Sequence, residues 1–385
     1  PWFFGFITDE LGLDPERLYV TVFEGDEKLG IGPDEESVGV WKELFKEKGM
    51  EVEAAQIGSE EDGGKRGMKE GERIFYYDVD KNWWSRAGAP ENMPAGEIGG
   101  PDSEVFYEFV DVEHDKSYGE HCHPNCDCGR FLEIGNSVFI QYIKEKDGSF
   151  SELPNKNVDF GGGLERLVMA STESPDIIKV CHSPIIDFLE KNSDKTYDES
   201  EDVTKAYRII ADHMKAAVFL ISEGVHPSNT DEGYFVRRLI RRSVHFADVL
   251  GVDGEGFASV VEPIAEMYSE AYPALKEQVH QIETIIADEE KKFRATLTKG
   301  MKEFEKIEGE TVSGEKAFVL FSTYGFPFEM TVELATEKGM TVDEESFKEK
   351  MKEHQELSRA GSEQKFKGGL ADSSETITAL HSCTH

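Results

Sequence analysis

Hydrophobic positions alternate with polar ones through the first half of the chain and recur every three to four residues in the second. Residues 17–23 (RLYVTVF) combine alternation with β-branched and aromatic side chains and predict a strand. An acidic, glycine-bearing loop is expected over 24–37. A helix over 37–48 would carry Val38, Val40, Trp41, Leu44 and Phe45 on one side. Residues 58–72 are charged and glycine-rich and are expected to be exposed loop. Further strands are predicted at 74–78, 104–110, 131–142 and on the approach to Asp159, with a short helix over 164–170. Strands joined by turns and long loops, with few helices between them, imply an antiparallel sheet in an α+β domain.

Beyond Ile177 the period changes. Residues 207–222 and 233–250 are amphipathic helices by spacing, separated by GVHPSN at 224–229. A long helix is predicted over 275–307, its apolar seam running through Val279, Ile282, Ile286, Phe293, Leu297, Met301 and Phe304. Short structure around 318–328 and a further helix pair to about 358 complete this region. A polar Gly/Ser linker follows at 360–376, and a new element begins at Leu380. The expected division is therefore an α+β domain over 1–180, an all-helical domain over 181–358, and a linker with the start of another domain over 359–385. No internal repeat is visible.

Composition narrows the class. A chain of 385 residues with 38% hydrophobic content, four Trp and 25 Phe has material for two or three real cores. No apolar run approaches the roughly 18 residues of a membrane span, so no membrane association is expected. The opening PWFFGF has neither the basic flank nor the cleavage site of a signal peptide, and it lacks an initiator Met; a piece of a longer protein is the expectation. The formal net charge of −36 opposes nucleic acid at long range, so any RNA contact must come from a local basic patch. Five Cys, three of them crowded at 122, 126 and 128, fit a reduced, cytoplasmic compartment better than a disulfide framework.

Three stretches carry candidate chemistry. The segment VDFGGGLER at 158–166 joins a strand end to a helix start. Its glycines allow close backbone approach, the free helix N–H groups favour an anion, and Arg166 can fork onto phosphate oxygens; a Gly-rich connection with a solvated Arg is the plain alternative. Arg237, Arg238, Arg241 and Arg242 share one broad helix face, either an ordinary basic face or an RNA-phosphate contact. The run HCHPNCDCG at 121–129 offers Cys122, Cys126, Cys128 and one histidine, His123 or the nearby His114, as zinc ligands. Its spacing is not that of a standard finger, and a reduced, partly buried Cys loop is the alternative.

The order of these blocks resembles the alanyl-tRNA synthetase family of class II aminoacyl-tRNA synthetases over nearly the whole chain. The resemblance rests on NWW at 82–84, GPDSEVFY at 100–107, RFLEIGNSVF at 130–139, the 158–166 segment, IADH at 210–213, PSN at 227–229, RRLIRR at 237–242, TYGFP at 323–327 and the terminal His381 and His385. It implies a class II antiparallel sheet with flanking helices, followed by a helical tRNA-recognition domain. It further implies ATP-dependent activation of alanine, with Mg²⁺ on the phosphates, and transfer to the acceptor stem of tRNA(Ala). In that likeness Asp159 receives the α-ammonium of alanine beside Asn136, Trp84 and Gly161. Arg166 meets the ATP phosphates, with Gly162, Gly163 and Glu104 on the adenylate side. Without the resemblance, Asn136 can equally satisfy backbone at a strand bend, and either indole of the Trp pair can be core.

Asn229 corresponds to the residue that reads the G·U acceptor pair, though helix capping is its plain alternative. The family's usual aspartate partner is Ser322 here, which has no charge. Arg237, Arg238, Arg241 and Arg242 fall in the tRNA-recognition domain. His381 and His385 match the first half of an editing-site Zn²⁺ motif, needed because a pocket for alanine rejects serine or glycine poorly. Class II motif 1 and most of motif 2 are expected upstream of Pro1, so amino-acid activation is expected only from a chain extended in that direction. The rivals are a trans-editing deacylase, which would not need the 158–166 segment, and a non-catalytic tRNA-binding paralogue.

Overall fold

Every residue of β1 (Leu18–Phe23) is buried, and that strand organises the first half of the protein. The computed structural model describes residues 1–252 and 254–367, and the chain divides into two units, Pro1–His182 and the residues from Ser183 on. In the first unit α1 (Trp2–Gly5) runs into a π-helical turn, Phe6–Glu10. After β1 come α2 (Glu35–Glu47), β2 (Glu53–Gly58), α3 (Glu60–Arg66), β3 (Glu72–Tyr77) and β4 (Trp83–Ser85). Then follow β5 (Ile98–Glu108), β6 (Phe131–Lys144), β7 (Phe150–Gly161), α4 (Leu164–Ser171) and α5 (Ile177–Cys181).

The sheet has the order β2-β3-β1-β5-β6-β7, with β4 paired to β5. From β1 through β7 the pairs are antiparallel, but β1 with β3 and β2 with β3 are parallel, so the sheet is mixed and not purely antiparallel as expected. The reason is local. Two helical crossovers, α2 and α3, return the chain to the same end of the sheet before each new strand. The second lies within 58–72, where an exposed loop was expected; Ser59 caps it, its side chain accepting from the Asp62 amide, and Gly63 and Gly64 are buried. Helix α2 is capped by Asp34, which accepts from the Ser37 amide at 3.0 Å.

The two faces of the sheet bury different material. On one face Val20, Val22, Ile74, Tyr76, Val105 and Tyr107 pack under Phe4, Ile7, Trp41, Phe45, Met169 and Ala170 of the helices. On the other Tyr19, Phe75, Tyr77, Phe106 and Phe131 form a smaller aromatic cluster. Between that cluster and the far end of β6 and β7, the second face carries polar residues.

The second unit contains α6 (Ser183–Lys191), α7 (Glu201–Ser222), α8 (Asp231–Leu250), two short helices α9 (Gly254–Phe257) and α10 (Val261–Met267), and the 32-residue α11 (Ala274–Glu305). Helix α7 buries Val203, Tyr207, Ile210, Met214, Val218 and Ile221, and α8 buries Val236, Ile240, Val244 and Ala247, at the predicted helical spacings. Next come α12 (Gly314–Tyr324), α13 (Phe328–Glu337) and α14 (Glu344–Lys367). Two corrections follow. The unit is not wholly helical: β8 (Thr311–Val312) and β9 (Thr341–Val342) pair in parallel, each too short to leave an alternation. Helix α14 continues through 360–367, where a linker was expected; the rest of that linker, with His381 and His385, lies outside the described residues.

Candidate active site

Strand register assembles a polar patch from four strands. Thr21 of β1, Glu104 of β5, Asn136 of β6 and Gly161 of β7 stand side by side; one row further lie Asp102, Val138 and Asp159. Cross-strand neighbours share a face, so Asp102, Glu104, Asn136 and Asp159 all project from the face opposite Trp41. The register shift between Val105 and Phe106 turns Asn136 to this face, and a second bulge lies between Gly99 and Asp102. Gly100 makes it possible, because a Cβ there would sit 1.9 Å from the Phe139 carbonyl oxygen.

At the centre is Asp102, 3% exposed. Its Oδ1 accepts from Asn82 Nδ2 at 2.9 Å and its Oδ2 from Asn136 Nδ2 at 3.4 Å; the same Asn82 amide donates to Thr21 Oγ1 at 2.9 Å. Thr21 in turn donates to Glu104 Oε2 at 3.1 Å. Burial, offset in part by the two asparagine amides, raises the Asp102 carboxyl to about 6, with Glu133 adding repulsion. Glu104 is raised to about 8 by burial first, then by Asp102 and Glu133. Among the described residues the Oδ1 atoms of Asn82 and Asn136 have no hydrogen-bond partner. The patch thus offers unpartnered acceptors among crowded carboxyl groups, an arrangement suited to a cationic, hydrogen-donating group such as an ammonium.

The Gly-rich segment edges this patch. Asp159 is exposed, one oxygen taking the Phe160 amide at 3.0 Å. Phe160 faces the other way, its ring 4.8 Å from Phe3. A Cβ at Gly161 would meet nothing within 4 Å, so internal packing does not demand glycine there; Gly162 and Gly163 would press on Phe160 and Arg166. Arg166, in the first turn of α4, donates from Nη1 to the Glu133 carbonyl at 2.9 Å and to Glu133 Oε2 at 2.6 Å. The guanidinium therefore remains 45% exposed but anchored to β6. Of the tryptophan pair, Trp83 is core, packed with Phe23, Ile31 and Met93, while Trp84 is 38% exposed opposite Gly100. Asp102, Asn82 and Glu133 join the site without having been singled out in the sequence, although they lie within GPDSEVFY, NWW and RFLEIGNSVF.

The loop between β5 and β6 packs over the aromatic cluster. His114, Cys122, Cys126 and Cys128 bring their ligand atoms within 4.8 Å of one another. His123, one of the two histidines the sequence offered, is elsewhere: it is fully buried with its Nδ1 2.7 Å from the Tyr77 hydroxyl, and burial lowers its pKa to about 4. His114 occupies the fourth position.

In the second unit the four arginines do not form a bare basic face. Glu289 of α11, 2% exposed, pairs with Arg237 at 3.1 Å and Arg241 at 2.6 Å, and Arg241 also donates to the Gly325 carbonyl at 2.7 Å. Arg238 pairs with Glu329, and Arg242 with Glu333 at 3.2 Å. Burial pulls the Arg241 pKa down despite Glu289. The arginines fasten α8 to α11, α12 and α13. Asn229 is exposed and accepts from Arg237; it is not the cap of α8, whose N-cap is Thr230. Ser322 is exposed on α12. Among the described residues no helix is long and apolar enough to cross a membrane.

The family model of tRNA synthetases class II (A) matches residues 1–384. An alanine–tRNA ligase of Borrelia hermsii is 37% identical over 397 residues, which covers 99% of this chain and 60% of that protein. One from Treponema denticola is 40% identical with the same coverage. The alanine–tRNA ligase of Acetivibrio thermocellus is 35% identical over 93% of this chain and 37% of its own length. The chain thus spans about 60% of the length of the Borrelia and Treponema relatives.

Proposed function

The chain belongs to the class II (A) tRNA synthetases, and on that premise we propose that it carries the alanine-activating site of an alanine–tRNA ligase. The observation that carries this reading is the acceptor-rich patch on β5, β6 and β7. Asp102, Asn136 and Asp159 offer oxygen atoms to an α-ammonium, and the open space over Gly161 admits a small ligand against backbone. A charged amino group there would favour the ionised forms of Asp102 and Glu104, which burial and their mutual repulsion oppose. The alanine carboxylate then attacks the α-phosphorus of ATP and diphosphate leaves; the tRNA 3′-terminal ribose hydroxyl takes the alanyl group, releasing AMP. Positioning and charge stabilisation drive both steps.

Arg166 serves the phosphates, turning from Glu133 or using the guanidinium edge that Glu133 leaves open, with Gly162 and Gly163 beneath the adenylate. Trp84 walls the alanine side. Glu104 and Glu133 carry oxygen atoms that would hold Mg²⁺, which would supply neutralisation of phosphate charge. In the second unit Asn229 and Ser322 would read the acceptor stem. Arg238, whose partner Glu329 is half exposed, is better disposed toward phosphate than the arginines held on Glu289. His381 and His385 would begin an editing Zn²⁺ site. The relatives' names favour a ligase over a deacylase or a non-catalytic paralogue.

Diphosphate–ATP exchange by the intact protein, run across all amino acids, tests the assignment. Alanine should give the fastest exchange; a higher rate with any other amino acid overturns it.

A further inference from the structure

The β5–β6 loop holds a cluster that amino-acid activation does not use. We propose that His114, Cys122, Cys126 and Cys128 bind one structural zinc ion that pins this loop to the sheet. The four side chains are gathered from both ends of the loop, and their ligand atoms lie within 4.8 Å. Tetrahedral zinc with sulfur at about 2.3 Å and nitrogen at about 2.0 Å requires S···S edges of about 3.8 Å and S···N edges of about 3.5 Å. The Cys122 and Cys128 sulfurs are 3.5 Å apart, and Cys126 Sγ is 3.7 Å from His114 Nδ1.

The histidine supplies an independent sign. Its Nε2 lies 2.9 Å from the Gly119 carbonyl oxygen. A carbonyl only accepts, so Nε2 carries a hydrogen, and Nδ1 is left as the nitrogen facing the sulfurs. A ligating imidazole fixed through its other nitrogen by a backbone carbonyl is the usual second shell of zinc. With three thiolates and one imidazole the coordination is closed, which is the structural and not the catalytic pattern. Zinc displaces up to three thiol protons as it binds.

What the ion would hold is also visible. The loop lies so close to α3 that a Cβ on Gly63 would come 2.8 Å from the His123 ring, and one on Gly67 2.7 Å from His121 Cβ. The His121 amide donates to the Gly64 carbonyl at 2.8 Å. At the loop's end Arg130 donates to Glu108 Oε1 at 2.6 Å, and Glu108 accepts from Tyr19. Zinc thus closes a loop whose contacts span α3, β1 and β5, on the face that carries Asp102 and Glu104.

The test is the metal content of the 385-residue chain, purified under reducing conditions without added metal, together with native thiol counting. One zinc per chain is expected. Cys122, Cys126 and Cys128 should resist alkylation until a chelator is added. Cobalt substitution should give the visible spectrum of a tetrahedral thiolate site, a readout that needs no variant. Cys126→Ser and His114→Ala should each lower zinc affinity at least tenfold, while Cys181→Ser and His123→Gln should leave it unchanged. Metal-free protein with three freely reactive thiols overturns the proposal, as does a Cys122–Cys128 disulfide, an octahedral cobalt spectrum, or loss of zinc in the His123→Gln variant with retention in His114→Ala.

Discussion

Replacing Asp102 by Asn removes a buried carboxyl that is raised from 3.8 to about 6. At about 1.4 kcal/mol per pKa unit, its ionised form costs the folded state roughly 3 kcal/mol. The sign follows from linkage. A carboxyl whose folded pKa is raised binds its proton more tightly in the native state, so its contribution is complete below about pH 4 and is lost as pH rises through about 6. Asn is nearly isosteric, and Asn136 can turn its unpartnered Oδ1 toward the new amide. Asp102→Asn should therefore match wild type at about pH 4 and exceed it by about 3 kcal/mol at about pH 8, with Glu104 relieved in addition. Urea unfolding followed by tryptophan fluorescence isolates the effect, since Trp2, Trp41, Trp83 and Trp84 all lie in the first unit. A stability difference that does not change with pH, or that favours wild type at high pH, refutes the reasoning.

Two further contrasts follow from the geometry. Glu289→Gln should destabilise the second unit by about 3 kcal/mol, because it leaves two guanidiniums without their buried partner, whereas Glu329→Gln at the half-exposed Arg238 pair should cost less than about 1 kcal/mol; hydrogen exchange of α8 and α11 peptides measures both. Gly161→Ala should fold as wild type yet weaken binding of an alanyl-adenylate analogue, since its Cβ meets no protein atom; Gly100→Ala should disrupt the β5–β6 pairing, since its Cβ would strike the Phe139 carbonyl. Thermal melts with and without the analogue separate these two glycines.

The helices α7, α8 and α11 were legible because long amphipathic stretches repeat a period that only one structure satisfies, and β1 because alternation and β-branching coincide. Helix α3 was not: EEDGGKR has no apolar stripe, and its buried residues are glycines that the β5–β6 loop presses upon. Missing it also hid the parallel half of the sheet. Within the site, motif likeness singled out Asn136, Asp159 and Gly161. Asp102 owes its prominence to burial and to Asn82, which lies 20 residues away, so no local pattern marks it. The same holds for the arginines. Their spacing was plain, but Glu289, which neutralises two of them, lies 48 residues beyond Arg241. At the Cys cluster the choice between His114 and His123 stayed open, because linear spacing does not register the return of the chain that brings His114 to the three sulfurs.

The central claim is that the patch on β5, β6 and β7 binds activated alanine through Asp159. Calorimetric titration of the protein with a non-hydrolysable alanyl sulfamoyl analogue of alanyl-adenylate tests it most directly. Saturable one-to-one binding is expected, weaker for the bulkier leucyl analogue and weakened at least tenfold by Asp159→Asn. Binding that ignores the aminoacyl group, or that survives Asp159→Asn unchanged, would contradict the account.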